Sequence, residues 1–224
     1  HELASNWTGN AACPLEGKVA VVTGASGGLG SQTTRTLVGL GASVAMVVRN
    51  ETKGRLVVTD ILNELTEAEA ACGGRTWLEV ADVSDLDSIA GLARKLKDEQ
   101  QQVDILVNNA GIHYATTHTD SFAPWHAWEP PTTAQGYDLS FATNYLGHFL
   151  LTRLLQPLLD QATAPTVVFV SSGFHHQSDA RKLWPVSNGT HSMPLAARSD
   201  PQEACTFSHR HLAYADSKLA QVLN

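Results

Sequence analysis

A short apolar segment followed by a glycine-rich turn constrains this chain more than any other feature. Residues 18–23 read KVAVVT, a continuous β-branched run typical of a strand that is buried on both faces of a parallel sheet. Glycines follow at positions 24, 28 and 30, and a helical pattern then continues to Leu40, where Gly41 stops it. A strand, a tight turn and a helix in this order predict the first unit of an α/β sheet.

Strands and helices alternate along the rest of the chain. The apolar runs predict further strands at residues 42–48, 76–80, 103–107 and 166–171. Helical patterns cover residues 53–71, 84–101 and 137–159, and resume from Leu212. This alternation predicts a doubly wound α/β parallel sheet with right-handed crossovers. We predict one domain over residues 17–224, preceded by a polar arm at residues 1–16.

Composition excludes several classes of function. The chain has 224 residues, a formal net charge of -7 and no cluster of basic residues, which argues against nucleic acid as a partner. No segment approaches the ~20 apolar residues of a membrane span, and a targeting or membrane segment ahead of His1 stays open. Cys13, Cys72 and Cys205 are widely spaced and are expected to be reduced thiols in a reducing compartment. The ten histidines lack acidic or cysteine partners at ligand spacing, so no metal site is expected.

The glycine turn predicts a nucleotide site. Gly24, Gly28 and Gly30 let the backbone turn tightly, so that a pyrophosphate can approach the N-terminus of the following helix. After the second strand the chain offers Arg49, with Lys53 one helical turn later, which favours the 2′-phosphate of NADP(H) over NAD(H). The alternative is that Arg49 is a solvated surface residue. Similarly, Asp82 after the third strand either contacts adenine or caps the next helix.

Tyr214 and Lys218 lie one helical turn apart and predict proton transfer. A free tyrosine has a pKa of ~10, and lowering it by two to three units takes roughly 3–4 kcal/mol. An ammonium group at i+4, together with a positive nicotinamide ring, is a plausible source of that stabilisation. Ser172, just past the fifth strand, can bond a substrate carbonyl oxygen, and Asn144 could hold a water that relays protons. Combined with a nucleotide site, these residues predict hydride transfer to or from a carbonyl.

These motifs resemble the short-chain dehydrogenase/reductase family, whose fold is of the Rossmann type. The resemblance extends from Leu15 to Asn224 and rests on five features in order. They are Thr-Gly-x-x-x-Gly-x-Gly at 23–30, Asn-Asn-Ala-Gly at 108–111, Asn144, Ser172, and Tyr-x-x-x-Lys at 214–218. The wording of residues 143–152, 170–176 and 212–220 further resembles the retinol dehydrogenase and WW-domain oxidoreductase branch.

The resemblance implies a role for each motif. Tyr214 would be the general acid/base, Lys218 would lower its pKa and hold the nicotinamide ribose, and Ser172 would orient the carbonyl. Asn144 would support the proton relay, and this branch prefers NADP(H). The expected cofactor-binding residues are Thr23, Gly24, Ser26, Gly28, Leu29, Gly30, Arg49, Asn50, Lys53, Asp82, Val83, Asn109, Ala110, Gly111, Tyr214 and Lys218.

The chain also departs from the family pattern. Residues 112–143 and 173–213 are longer than usual and are expected to form a lid or an oligomer contact. The sequence ends within the catalytic helix, where two further strands and the substrate lobe would be expected, from a longer polypeptide or a partner chain. Two functions follow: an oxidoreductase acting on an apolar carbonyl or alcohol, or a catalytically silent cofactor-binding subunit of a larger assembly, with homo-oligomers also open.

Overall fold

The computed structural model describes residues 13–113, 131–178, 186–187, 190–191 and 207–223. The chain forms two compact units. The first, which we call the sheet unit, comprises His1–Ala81, Leu96–Asn109 and Leu155–Val168. The second, the helical unit, comprises Asp82–Lys95, Ala110–Leu154 and Phe169–Asn224. Most of the two long segments at 112–143 and 173–213 lies outside the described residues.

A five-stranded parallel sheet organises the sheet unit. Its strands are β1 (Val19–Thr23), β2 (Ser43–Val48), β3 (Arg75–Val80), β4 (Ile105–Asn108) and β5 (Thr166–Phe169), in the order β3-β2-β1-β4-β5. β1 pairs in parallel with β2 on one side and with β4 on the other, so the strand order reverses at β1. This order confirms the predicted doubly wound class, in which ligands bind where the order reverses.

The central strands carry the core of the sheet unit. Ala20, Val21 and Val22 of β1 are fully buried, as are the apolar side chains of β2 from Val44 to Met46. This burial explains why both strands are continuous apolar runs rather than alternating ones. The helix α1 (Gly28–Gly39) packs against β1 and β2.

The predicted helix over residues 53–71 is wrong in one respect, because the chain forms two helices there. These are α2 (Glu51–Glu64) and α3 (Glu67–Ala71). Between them Leu65 is extended, and Thr66 starts α3 with a capping box in which its hydroxyl accepts from the Glu69 N–H while the Glu69 carboxylate accepts from the Thr66 N–H. Thr66 followed by Glu69 is the sequence pattern of a capping box, so the break between α2 and α3 could have been predicted from the sequence.

The helical unit contains a helix with a π-turn that the sequence analysis did not predict. The described elements of this unit are α4 (Leu86–Glu99), α5 (Leu139–Phe141), a π-turn (Ala142–Leu146), α6 (Gly147–Leu159), a 3₁₀ turn (Gly173–Gln177), β6 (Val186–Ser187), β7 (Thr190–His191) and α7 (Phe207–Leu223). The C-terminal ends of α4 and α6 belong to the sheet unit. The predicted helix over 137–159 is therefore confirmed as one helical run from Leu139 to Leu159, and only the π-turn inside it was not predicted. Within the described residues, no helix is long and apolar enough to cross a membrane.

Two of the three cysteines are bonded, so the expectation of reduced thiols is wrong for them. Cys13 and Cys72 form a disulfide with their Cα atoms 5.2 Å apart, although 59 positions separate them in sequence. Gly41, with a φ of +102°, lies close to the segments that carry both cysteines. A Cβ on this residue would lie 3.1 Å from the Glu16 nitrogen and 3.2 Å from the Cys72 carbonyl oxygen, so glycine allows these segments to approach each other. Cys205 lies outside the described residues.

Candidate cofactor and catalytic sites

The glycine turn of the sheet unit is built so closely that side chains do not fit. A Cβ on Gly30 would lie 2.6 Å from the Asn109 amide nitrogen and closer still to the Gly24 carbonyl oxygen. Gly24 and Gly28 have φ values of 64° and 49°, which favour glycine. The N-cap residue of α1 is Gly27, which has no side chain to cap the N-terminus of this helix. The turn therefore presents backbone N–H groups and the positive end of a helix dipole, which suit a phosphate.

Thr23 and Asn109 brace this turn against β4. The Thr23 hydroxyl accepts from the Asn109 backbone N–H at 2.9 Å, and the Asn109 amide donates to the Thr23 carbonyl oxygen at 2.8 Å. The same amide lies 3.4 Å from the Gly24 carbonyl oxygen. Thr23 and Asn109, which the sequence predicts to contact the cofactor, therefore stabilise the conformation of the turn.

Two exposed cations stand near the turn. Arg49 directly follows β2, and Asn50 caps α2 by accepting from the Lys53 N–H at 2.9 Å. The Lys53 ammonium lies 3.4 Å from where a Cβ on Gly27 would be, so it reaches the turn itself. Neither Arg49 nor Lys53 forms an ion pair in the part of the chain that the structure describes. Ser26 and Leu29 belong to the same turn, with the Leu29 side chain 69% exposed.

The expected cofactor residues of the helical unit start with Asp82 and Val83. An Asp82 carboxylate oxygen accepts from both the backbone N–H and the hydroxyl of Ser84, at 2.9 and 2.7 Å, and so shapes the turn that leads into α4. Val83 is buried, and its carbonyl oxygen occupies the position that a side chain on Gly147 would need. In the described residues the Asp82 carboxylate thus binds Ser84 in the turn before α4.

Ala110 and Gly111 continue the chain beyond Asn109 and lead to a clamp formed by Asn144. The Asn144 side chain is fully buried in the π-turn. Its Oδ1 accepts from the Ile112 N–H at 2.8 Å, and its Nδ2 donates to the Ile112 carbonyl oxygen at 3.0 Å and to the Ser217 hydroxyl at 2.9 Å. Both amide hydrogens therefore bind protein acceptors, so any water at this side chain would have to donate to Oδ1.

Ser217 connects the clamp to the catalytic helix. It is fully buried, and its hydroxyl, which accepts from Asn144, donates to the Tyr214 carbonyl oxygen at 2.7 Å. Sequence reasoning missed this residue. Its position directly before Lys218 in a Tyr-x-x-x-Lys motif was the available signal, because residues three apart on a helix face the same side.

Tyr214 and Lys218 meet as the spacing predicted. The Lys218 ammonium lies 5.8 Å from the centre of the Tyr214 ring. Lys218 is only 4% exposed, and it donates to the Val170 carbonyl oxygen and to the Gln221 side-chain oxygen, each at 2.9 Å. Burial lowers the pKa of Lys218 from 10.5 to about 8.

Ser172 begins the 3₁₀ turn, which packs against α7. Its hydroxyl accepts from the Phe174 N–H at 3.3 Å, and its carbonyl oxygen lies 2.6 Å from the His175 Nδ1. The ring of Phe174 and the ring of His113 both contact Tyr214, and sequence reasoning singled out neither as a site residue. The helical unit therefore brings all four predicted catalytic residues into one connected region, and the sheet unit holds the glycine turn and the cations.

The strand order and the glycine turn define an α/β protein of the dinucleotide-binding type. A sequence profile described as short chain dehydrogenase matches residues 18–182. The chain belongs to the short-chain dehydrogenase family, as the motifs predicted.

Curated relatives include members of the retinol dehydrogenase branch. Retinol dehydrogenase 13 of Mus musculus is 35% identical over 178 residues, covering 78% of this chain and 47% of that protein. Retinol dehydrogenase 11 of Homo sapiens is 32% identical over 210 residues, covering 93% of this chain and 54% of that protein. A probable oxidoreductase of Streptomyces lividans is 38% identical over 161 residues, with coverages of 72% and 47%. The chain thus spans about half the length of the curated relatives it matches.

Solved structures give the same fold. An uncharacterized protein from Mycobacterium Paratuberculosis matches with a TM-score of 0.64 and 30% identity, over 94% of this chain and 61% of that one. A metagenomic short-chain oxidoreductase, crystallised in complex with NADP, matches with a TM-score of 0.61 and 28% identity, over 93% and 72% of the two chains. These structures support the Rossmann-type assignment, and the curated relatives support the resemblance to the retinol dehydrogenase branch.

Proposed function

We propose that this chain is the cofactor-binding and catalytic part of an NADP(H)-dependent oxidoreductase that acts on an apolar carbonyl or alcohol. The observation that carries the proposal is the buried ammonium of Lys218 beside Tyr214. Within the described residues Lys218 has no carboxylate partner, and its lowered pKa corresponds to about 3 kcal/mol of unfavourable burial. A buried ammonium without a neutralising carboxylate, placed beside a tyrosine, is typical of a site that transfers protons.

The residues of the helical unit divide the chemistry between them. The nicotinamide cofactor, when bound, supplies or accepts the hydride. In the reducing direction, Ser172 and Tyr214 hold the substrate carbonyl oxygen with their hydroxyl groups, and Tyr214 gives its proton to that oxygen. Lys218 stabilises the resulting phenolate, and the Asn144 clamp holds the backbone of Tyr214 through Ser217. In the oxidising direction Tyr214 accepts the proton from the alcohol.

The preference for NADP(H) is supported by charge. Arg49 is exposed, the Lys53 ammonium reaches the glycine turn, and no acidic residue stands directly after β2. We assign the 2′-phosphate to these two cations, and the NADP complex of the metagenomic oxidoreductase supports the choice of cofactor. Replacement of Arg49 by Asp is expected to raise the KM for NADPH at least about tenfold while the KM for NADH falls or stays unchanged. An unchanged KM for NADPH would contradict this assignment.

The decisive experiment measures NADPH consumption with a panel of carbonyl compounds. The panel contains retinals, aliphatic aldehydes, steroid ketones and quinones, and each is tested with the protein and with Tyr214→Phe. Tyr137→Phe, a change at another tyrosine of the helical unit, is the matched control. We expect turnover that Tyr214→Phe lowers by at least about 10³-fold and that Tyr137→Phe leaves intact. Tight NADPH binding without turnover of any compound would favour the silent subunit instead.

Assembly is part of the same proposal. Val167 and Val168 of β5, which ends the strand order, are 37% and 41% exposed. Exposed apolar side chains on such a strand mark a surface that another element covers. We propose that a further segment of the whole protein or a second chain packs over β5. Hydrogen exchange of the β5 amides in the assembled protein tests this, and rapid exchange there would contradict it.

A further inference from the structure

Among the described residues, the rings of His113 and Phe174 pack beside the phenol of Tyr214. The ring centre of His113 lies 4.4 Å from that of Tyr214, with an interplanar angle of 45°. The ring of Phe174 lies 5.8 Å from Tyr214 in an edge-to-face arrangement and 5.7 Å from His113. Each distance falls within the range in which aromatic rings attract one another. We call these three residues the aromatic cluster.

The aromatic cluster is not part of a core. His113 is exposed, Phe174 is 37% exposed, and Tyr214 is only partly buried. The packed cluster of the same unit, formed by Phe141, Tyr145 and Ala220, is at most 9% exposed. Exposed aromatic rings that adjoin a reactive group provide faces and edges on which another ring can stack.

The cluster is tied to the carbonyl-binding position. The Phe174 N–H donates to the Ser172 hydroxyl at 3.3 Å, so the ring is held two residues from the group assigned to the substrate oxygen. Tyr214 supplies the second hydroxyl and is itself a member of the cluster. A substrate whose oxygen bonds the Tyr214 hydroxyl therefore has the rings of His113 and Phe174 among its neighbours.

We propose that His113 and Phe174 are specificity-determining residues that select carbonyl compounds in which the carbonyl is attached directly to an aromatic ring. This inference rests on the proposed function of Tyr214 and Ser172. The attached ring stacks against the cluster, and an aliphatic ring of the same size lacks the quadrupole that makes this contact favourable. His113 and Phe174 act together, since each touches the other as well as Tyr214.

The test compares ligands matched in size. Calorimetry of the NADPH-bound protein gives Kd values for benzamide and cyclohexanecarboxamide, and kinetics give kcat/KM for benzaldehyde and cyclohexanecarbaldehyde. We expect Phe174→Leu and His113→Leu each to lower the aromatic-to-aliphatic ratio of both quantities by about five- to tenfold. Leucine keeps an apolar side chain in each place, and the aliphatic values should change little. Phe149→Leu, at an exposed phenylalanine of α6, is the control that leaves both ratios unchanged.

The two kinds of readout separate the inference from the proposed function. Ratios that are the same in the protein and in both leucine variants would overturn the inference, whether or not the aldehydes are reduced. A binding preference for benzamide that both variants remove, with no reduction of either aldehyde, would support the aromatic subsite and refute the oxidoreductase activity. Thermal melting of each variant verifies that it is folded.

Discussion

Replacement of His148 by Asn should remove a large part of the acid sensitivity of this protein. His148 is fully buried on α6, and its Nδ1 lies 3.1 Å from the Asn144 carbonyl oxygen. Burial is the main cause that lowers its pKa from 6.5 to about 4, and the positive charge of Lys218 lowers it further, whereas the hydrogen bond to Asn144 raises it. The native structure therefore holds this imidazole neutral at pH values where a solvated histidine is charged.

The sign of the effect follows from where the proton binds. The unfolded chain takes up the proton near pH 6.5, and the native chain does so only near pH 4, so stability is complete above pH 6.5 and is lost as the pH falls toward 4. At about pH 5 the difference in proton binding amounts to a loss of ~2 kcal/mol in the free energy of unfolding, and below pH 4 to ~3 kcal/mol. His148→Asn cannot titrate and should not show this loss.

Urea unfolding at about pH 7.5 and about pH 5 measures the effect. Between the two conditions, the protein should lose ~2 kcal/mol more of its free energy of unfolding than His148→Asn does. Asparagine retains an amide donor for the Asn144 carbonyl oxygen, and the smaller side chain should lower stability equally at both pH values. The losses of all other titrating groups cancel in the comparison. His176→Asn, at an exposed histidine, should behave as the protein itself. Equal losses in the protein and in His148→Asn would refute the reasoning.

Three further predictions concern the turn, the disulfide and the Ser217 link. Gly30→Ala should abolish NADPH binding, because its Cβ would lie 2.6 Å from an amide nitrogen, whereas Gly91→Ala, with no atom within 4 Å of its Cβ, should bind NADPH normally; equal Kd values for the two would contradict this. Cys13→Ser should lower the free energy of unfolding by about 4 kcal/mol, because the unfolded chain regains the conformational entropy of the loop that the disulfide closes. An unchanged urea midpoint would argue against the bond. Ser217→Ala should lower kcat about tenfold with little change in KM, and should add nothing to Asn144→Ala in a double-mutant cycle, whereas additive effects would show that the two residues act separately.

The α/β alternation and the site motifs were predictable because their causes are local. Continuous β-branched runs, glycines at a strand end and a cap pattern depend on a few neighbouring residues. Strand positions were therefore correct to within one or two residues for β1 to β4. The approach of Lys218 to Tyr214 was predicted from helical spacing alone.

Other features depend on contacts between distant segments. The π-turn at Ala142–Leu146 carries Asn144, whose amide binds Ile112 and Ser217, and both partners lie far from Asn144 in sequence. The disulfide is a similar case, because 59 positions separate its cysteines and no short motif contains both. The expectation of free thiols failed for this reason.

Sequence by itself thus determined the class of the sheet, the glycine turn and the identity of the chemical groups, since each follows from local backbone preference or from side-chain type. Tertiary structure alone decided the burial, the hydrogen-bond partners and the pKa values of those groups. It buried Lys218 and His148 and so lowered their pKa values, and it engaged the amide of Asn144 with protein partners. It also gathered His113 and Phe174 around Tyr214. Burial and hydrogen-bond partners are properties of packing between segments far apart in sequence, which no local pattern specifies.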